Sequence, residues 1–246
     1  MVPTALRQMS GKHRTETGDT RLGVALAFVA GAINAGGFLA VGTYTSHMSG
    51  MVSSLGDYVV THSWLTAGLV ALHVLSFFLG SMTATLLINW ARRRALNGEF
   101  AIALMTEAVL LLGFGLLAGA GAMAVFAGLQ LLISLLCFIM GLQNGLITKI
   151  SHAEIRTTHM TGVITDLGIE IGRLVFGKAT GGEVRYDRRK TARLAWLLAA
   201  FFTGGVVGAM AFPRLGFVCV VPFALLLAGL AVVPIADDLA ALRPRR

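Results

Sequence analysis

Residues 31–59 read GAINAGGFLAVGTYTSHMSGMVSSLGDYV, and residues 141–171 read GLQNGLITKISHAEIRTTHMTGVITDLGIEI. The two stretches carry one pattern twice. Gly31 and Asn34 recur as Gly141 and Asn144, 110 positions later; after two inserted residues His47, Met48, Gly50, Leu55 and Gly56 recur as His159, Met160, Gly162, Leu167 and Gly168 at an offset of 112. Small residues every fourth position let helix backbones approach closely. These recur too: Ala27, Gly31 and Ala35 correspond to Cys137, Gly141 and Gly145, and Ser76, Gly80 and Ala84 to Ala200, Gly204 and Gly208. Self-similarity on this scale marks a repeated structural unit.

The medium of that unit follows from composition. The mean hydropathy is +0.77, 56% of the 246 residues are hydrophobic and 13% are charged, far from the globular norm of about a quarter charged. Runs of about 20 apolar residues suffice to cross ~30 Å of hydrocarbon. Six such runs are expected as spans: Leu22 to Gly42, Leu65 to Asn89, Phe100 to Ala118, Met123 to Ile147, Leu194 to Phe212 and Leu215 to Ile235. The first lacks a small-residue cleavage pattern after Val41-Gly42-Thr43 and reads as a retained helix, not a signal peptide. Cys137 and Cys219 both sit inside apolar runs and read as packing residues, not a disulfide framework.

Lys and Arg concentrate in cytoplasmic loops, so their positions orient the spans. With the N-terminus inside, the basic residues of the N-terminal tail (Arg7, Lys12, Arg14, Arg21), Arg92 to Arg94, the stretch Lys149 to Arg193 and Arg243, Arg245 and Arg246 all fall on the inner side, leaving only Arg214 outside. Counting Met51 to His62 and Val163 to Phe176 as further spans would put the arginine triplet outside, and helices that short would cover only about 18 and 21 Å at 1.5 Å per residue. The expectation is an all-α, polytopic transmembrane bundle of six spans with both termini cytoplasmic. A cytoplasmic tail (1–21) precedes a first three-helix repeat (22–118) and a second one (123–235), and a cytoplasmic tail (236–246) follows. A short amphipathic helix follows the first span of each repeat, and the one with Asp166, Glu170 and Arg173 on its polar face reads as interfacial. An odd number of spans per repeat inverts the second copy relative to the first, an architecture frequent among secondary transporters.

The stretches AGAINAGGFLAVGTYTSHMSGMVSSLGD and GLQNGLITKISHAEIRTTHMTGVITDLGIEIGRL resemble the two signature regions of the YoaK-like family of bacterial membrane proteins, a domain-of-unknown-function family (DUF1275), over roughly residues 22 to 235. Where many members read MTGN, this chain has Met48-Ser49-Gly50-Met51 and Met160-Thr161-Gly162-Val163, so a role for that asparagine does not transfer. The resemblance implies a bacterial inner-membrane protein and no established activity.

Polar residues that recur within apolar surroundings are the site candidates. Asn34 and Asn144 stand deep in spans, where an amide needs a partner; they are expected either to face each other across a substrate or ion pathway or to hydrogen-bond a neighbouring helix. Thr45, Ser46 and His47, with their echoes Thr157, Thr158 and His159, precede the amphipathic helices, and their hydroxyls are expected to cap those helices or to line the pathway. Glu107 is an intramembrane carboxylate of the kind that faces a bundle interior, with His73 as its candidate partner. His47-Met48 and His159-Met160 have the softness of a copper(I) site, but neither lies at ligand spacing from a further His or Cys, so no metal is expected.

The substrate-binding set is therefore Asn34, His47, Glu107, Asn144 and His159. No catalytic motif or cofactor signature appears, and no enzyme activity and no cofactor are expected. The net charge of +8 is spread between spans and not gathered into a nucleic-acid-binding stripe. The basic run Arg185, Arg188, Arg189 and Lys190 suits anionic headgroups, so membrane lipid is the expected partner, and the chain is compatible with a homo-oligomer. A small-solute or ion transporter or channel is the leading expectation. The alternative is a non-transporting membrane protein that binds lipid or scaffolds a partner complex.

Overall fold

In hydrocarbon every backbone N–H and C=O must find its partner within its own segment or against protein, and each apolar run accordingly forms one long α-helix. The computed structural model describes residues 9–11, 15–151, 154–180 and 184–241. The helices are α1 (Glu16–Val41), α2 (Met48–Val60), α3 (Trp64–Arg93), α4 (Ala101–Gly119), α5 (Phe126–Ile150), α6 (Met160–Ala179), α7 (Arg188–Leu215) and α8 (Val220–Ala241), with 3-10 turns at Ala122–Ala124 and Gly216–Cys219. No strand occurs among the described residues. Arg7, Lys12, Arg14, Arg243, Arg245 and Arg246, on which part of the charge asymmetry rests, lie outside the described residues.

Among the described residues, five helical segments are long and apolar enough to cross a membrane: α1, α3, α4, α5 and the run Arg188–Ala241. That last run holds both α7 and α8. Gly216, at φ 57° and ψ −144°, separates them, a backbone conformation that favours glycine. Local chemistry sets other ends. Thr15 caps α1 by accepting from the Gly18 N–H, Asp187 caps α7 by accepting from the Arg189 and Lys190 N–H groups, and Gly42 ends α1 at φ 75°.

The small residues found in sequence lie where helix backbones touch. Gly31 of α1 meets the Phe201 carbonyl of α7, and Gly204 of α7 meets the Phe28 carbonyl of α1; Gly141 of α5 meets the Phe77 carbonyl of α3, and Gly80 of α3 meets the Phe138 carbonyl of α5. A Cβ at any of the four would press into that backbone. The two pairs use corresponding residues with the roles exchanged. Within each pair the contacts advance together, from Gly23 with Leu197 to Gly36 with Gly208, and from Gly141 with Phe77 to Gly145 with Ser81, so α1 and α7 run parallel, as do α3 and α5.

The remaining long helices, α4 and α8, run antiparallel. Gly115 of α4 lies against Val220 at the start of α8. At the other end, Asp238 accepts from the Asn97 N–H (2.7 Å) and the Gly98 N–H (2.8 Å) just ahead of α4. A carboxylate thus satisfies two backbone donors at a helix entry and ties the two helices together. The outward face of α3 is apolar, with Phe78 and Leu86 exposed, and Trp64 and Trp90 are exposed near its ends. Twenty-six residues apart, the two indoles stand ~39 Å from each other along the axis, close to the full thickness of a bilayer with its headgroup regions.

Candidate functional site

The site is built by two chain reversals. After Gly42 the chain turns back along α1. The Asn34 Oδ1, about two turns below the helix end, accepts hydrogen bonds from the Ser46 N–H (3.2 Å) and Ser46 Oγ (2.9 Å). From there α2 starts and runs back out beside α3: Met51 shares a buried cluster with Ile133 and Cys137 of α5, against which Val70, Val74 and Phe77 of α3 pack. The same construction recurs in the second half. Thr158 Oγ1 donates to the Asn144 Oδ1 (2.8 Å), and the Asn144 amide N donates to the Met140 carbonyl (2.7 Å).

From Thr158 α6 runs back beside α7, held near its middle by Glu170, which accepts from the Asp187 N–H (3.2 Å). The start of α6 lies beside Phe201, well inside α7, because Asn144 holds the preceding turn there. Glu170 is fully buried and is held by Arg173 (2.9 Å) and Lys190 (3.6 Å). Its carboxylate locks α6 onto the start of α7 instead of facing solvent.

The starts of α2 and α6 meet at one cavity of about 700 Å³. Its walls come in corresponding pairs, Asn34 and Asn144, Ser46 and Thr158, His47 and His159, Met48 and Met160, Ser49 and Thr161, Phe77 and Phe201, joined by Tyr44. His47 and His159 occupy the N-cap positions of α2 and α6 in nearly the same backbone conformation, φ −91° and ψ 67° against φ −83° and ψ 62°. Each imidazole folds over the first turn of its helix. A Cβ on Gly50 or Gly162 would fall 2.5 Å from the Nδ1 of His47 or His159, which accounts for a glycine three residues after each histidine.

Four of the five expected binding residues, Asn34, His47, Asn144 and His159, are thus brought together, although the asparagines bond to their own reversals and not to each other. Glu107 is not among them. It lies fully buried in α4, with no hydrogen-bond partner for either carboxylate oxygen among the described residues, and does not line the cavity. His73 is buried in α3 with no partner for its Nε2 among the described residues, and it makes no hydrogen bond to Glu107. The capping role expected of the hydroxyls is also corrected: neither α2 nor α6 has a side-chain cap, because Ser46 and Thr158 are engaged by the asparagines. Thr45 and Thr157 are fully buried with no partner for their hydroxyls among the described residues.

The two His–Met pairs, far apart in sequence, share the cavity. No group of three or more His, Cys, Asp and Glu suited to a metal occurs among the described residues. Sequence reading missed Phe77 and Phe201, although their spacing of 124 is that of Gly80 and Gly204 and would have paired them. It also missed Gln143, whose amide N donates to the Leu26 carbonyl (2.7 Å) and joins α5 to α1.

A second cavity, of about 690 Å³, shares His159 and Thr161 with the first and is lined by Glu154, Arg156, Asp166, Asp187, Lys190 and Arg193 among others. Arg156 Nη1 lies 3.0 Å from the His159 Nδ1, and Arg193 pairs with Glu154 (3.1 Å). The Lys190 N–H, with help from the Arg189 N–H and the Arg193 and Lys190 charges, holds the Asp187 carboxyl below the usual carboxylate range against the opposing effect of desolvation.

A curated relative, the UPF0700 transmembrane protein YoaK of Bacillus subtilis (strain 168), is 28% identical over 190 residues, which are 76% of this chain and 81% of that protein. No solved structure matches the chain. With a family model matching residues 22–233, this multi-pass integral membrane protein belongs to the family described as "Protein of unknown function (DUF1275)".

Proposed function

We propose that the chain is a small-solute or ion transporter or channel of the bacterial inner membrane, with six spans in two inverted three-helix repeats and both termini cytoplasmic. The observation that carries this reading is the cavity lined by corresponding residues of both halves, Asn34 with Asn144 and His47 with His159. Transporters with inverted repeats bind at the repeat interface, where interrupted helices present their ends. Support for the inversion comes from the exchanged contacts: the first helix of each half runs parallel to the second helix of the other, and α4 and α8 run antiparallel. The Gly216–Cys219 break between α7 and α8 supports counting the last apolar run as two spans.

The surroundings of the cavity differ between the two halves. Toward the basic, cytoplasmic side His159 and Thr161 are shared with the second cavity, whereas on the α2 side Met51 packs against Ile133 and Cys137.

The test is flux. In proteoliposomes of the full chain, a panel of small ions and neutral solutes followed by osmotic light scattering is expected to show at least one protein-dependent permeant, lost in the doubly substituted Asn34→Ala, Asn144→Ala protein. Absence of flux for the whole panel, with both proteins inserting normally, would favour the lipid-binding or scaffolding reading.

A further inference from the structure

We infer that the cleft between the starts of α1 and α7 seats the headgroup of an anionic phospholipid, with its phosphate against Arg189 and its acyl chains past Trp196. The cleft lies apart from the cavity of the two half-helices, and the inference does not depend on the transport reading.

The cleft, of about 490 Å³, is lined by Glu16, Thr17 and Thr20 of α1 and by Arg189, Arg193 and Trp196 of α7, among others. Its depth follows from the two parallel helices that form it. Their apolar runs begin at Leu22 and at Leu194, and Gly23 meets Leu197 just past that level. Thr17 and Arg189 each stand five residues ahead of it, about 7.5 Å along the axis, which is the depth of the headgroup layer. Trp196 stands two residues inside it and is 65% exposed, as suits an indole at the membrane interface.

The donors of the cleft are side chains, because both helix starts are already capped, α1 by Thr15 and α7 by Asp187. Arg193 is held between Glu154 (3.1 Å) and Glu16 (3.6 Å). Arg189 is exposed, and its guanidinium pairs with no carboxylate among the described residues, which leaves a planar fork matched to two oxygens of a phosphate. The threonines opposite are free as well. Helical threonines elsewhere bond back to the carbonyl four residues earlier, as Thr83, Thr106 and Thr203 do, whereas the Thr17 and Thr20 hydroxyls make no hydrogen bond among the described residues.

The other half of the molecule supplies the contrast. At the offsets of 110 and 124 that relate the paired helices, Thr17, Arg189, Arg193 and Trp196 correspond to Ala127, Leu65, Leu69 and Leu72. The same helix pair thus carries a polar cleft at one face of the membrane and an apolar surface at the other. An excess of Lys and Arg serves orientation by itself, but it does not call for unbonded hydroxyls and an exposed indole around one arginine. Beyond Trp196 α7 exposes Phe202 and Val206, a surface for acyl chains that a free phosphate would not use.

The experiment reads Trp196 directly. Trp64→Phe with Trp90→Phe leaves it as the single tryptophan, and the full chain is reconstituted in phosphatidylcholine vesicles containing increasing brominated phosphatidylglycerol or brominated phosphatidylcholine. Half-maximal quenching is expected at an about fivefold lower fraction of phosphatidylglycerol, the scale of one basic residue at an anionic surface. Arg189→Gln is expected to abolish that preference and Thr17→Val with Thr20→Val to reduce it. Arg188→Gln, one residue away and outside the cleft, is expected to leave it unchanged.

Equal quenching by the two lipids would overturn the inference. Equal losses in Arg188→Gln and Arg189→Gln would do the same, by making the preference a property of the whole basic surface. Relief of quenching by soluble glycerol phosphate would overturn the lipid as occupant in favour of a free organic phosphate. Should Arg189→Gln fail to insert, the threonine variant decides against Arg188→Gln, and an unreduced preference in it counts against the site.

Discussion

The α2 end and the α6 end of the molecule share a backbone plan but not a chemistry. Each begins with a span, reverses through an asparagine-held turn and sends a half-helix back along the next span. At the α2 end that half-helix is sealed by Met51 against Ile133, Cys137 and Val74. At the α6 end the position corresponding to Met51 is Val163, which is also buried and lines the second cavity with Leu194 and Leu197, and the corresponding helix start of α7 is capped by Asp187 where Ser63 of α3 makes no such bond. One scaffold therefore carries an apolar cluster at one end and a cavity with charged lining at the other.

The largest effect is expected where the two halves are most alike. Gly204→Ala and Gly80→Ala each place a Cβ into a facing carbonyl, of Phe28 or Phe138. Overpacking of this kind costs ~1–3 kcal/mol when neighbours can shift, and more against rigid backbone, so both variants are expected to lose most of their folded yield on detergent size-exclusion. Comparable losses support equivalent helix pairs. A variant that folds normally at one position only would break the comparison at its foundation.

Next in size is a test of the difference. Glu170→Gln leaves α6 and the start of α7 without their buried carboxylate, and about 1–3 kcal/mol is at stake when a buried polar network loses a charged partner. Tyr58→Phe at the corresponding position of α2 should change little. A melting temperature lowered by the first substitution and unmoved by the second confirms that charge organises only the α6 end; equal shifts would argue that both half-helices depend on polar anchoring.

Gly50→Ala and Gly162→Ala should act more gently, displacing the imidazole of His47 or His159 from its helix start without touching a long helix pair. Tighter or weaker binding of a solute, with the melting temperature nearly unchanged, is the expected outcome for both. An effect confined to Gly162→Ala would mean that only the histidine at the α6 end, which also lines the second cavity, meets the solute.

These contrasts were unequally legible in the sequence. The pairing of Gly31 with Gly141 and of Gly80 with Gly204 is written in spacing, and close helix approach needs small residues wherever it occurs, so those contacts were readable. The start of α7 at Arg188, six residues before the expected Leu194, was not: hydropathy marks where hydrocarbon begins, while Arg188 to Arg193 continue the helix beyond it. The four site residues Asn34, Asn144, His47 and His159 stood out because polar groups contrast with an apolar run. Phe77 and Phe201 line the same cavity yet offer no such contrast, since phenylalanine is equally at home against lipid. Glu107 misled for the complementary reason: its polarity was visible, but α4 is buried on several faces, and no periodic pattern tells which of them a residue meets.

The smallest effect on stability, and the most informative on function, is expected from Asn34→Ala and Asn144→Ala. Each removes a side-chain acceptor from a reversal, Ser46 losing one partner and Thr158 the other. An interhelical hydrogen bond in a membrane protein averages only ~0.6 kcal/mol by double-mutant cycles, so folded yield and melting temperature should fall slightly. The consequence for the site is of another kind, because the asparagine fixes where the half-helix starts and therefore where its free N–H groups lie. A ligand shifts an equilibrium only through its differential contacts, and misplaced donors remove those contacts without unpacking the bundle. Measured side by side in proteoliposomes and by thermal unfolding, each variant is expected to lose flux while keeping its fold. If the two differ, with Asn34→Ala silent and Asn144→Ala inactive, the α6 end alone holds the solute and the α2 end serves as the seal. If both retain full flux, the asparagines only tie turns to helices, and the cavity they frame is not the pathway.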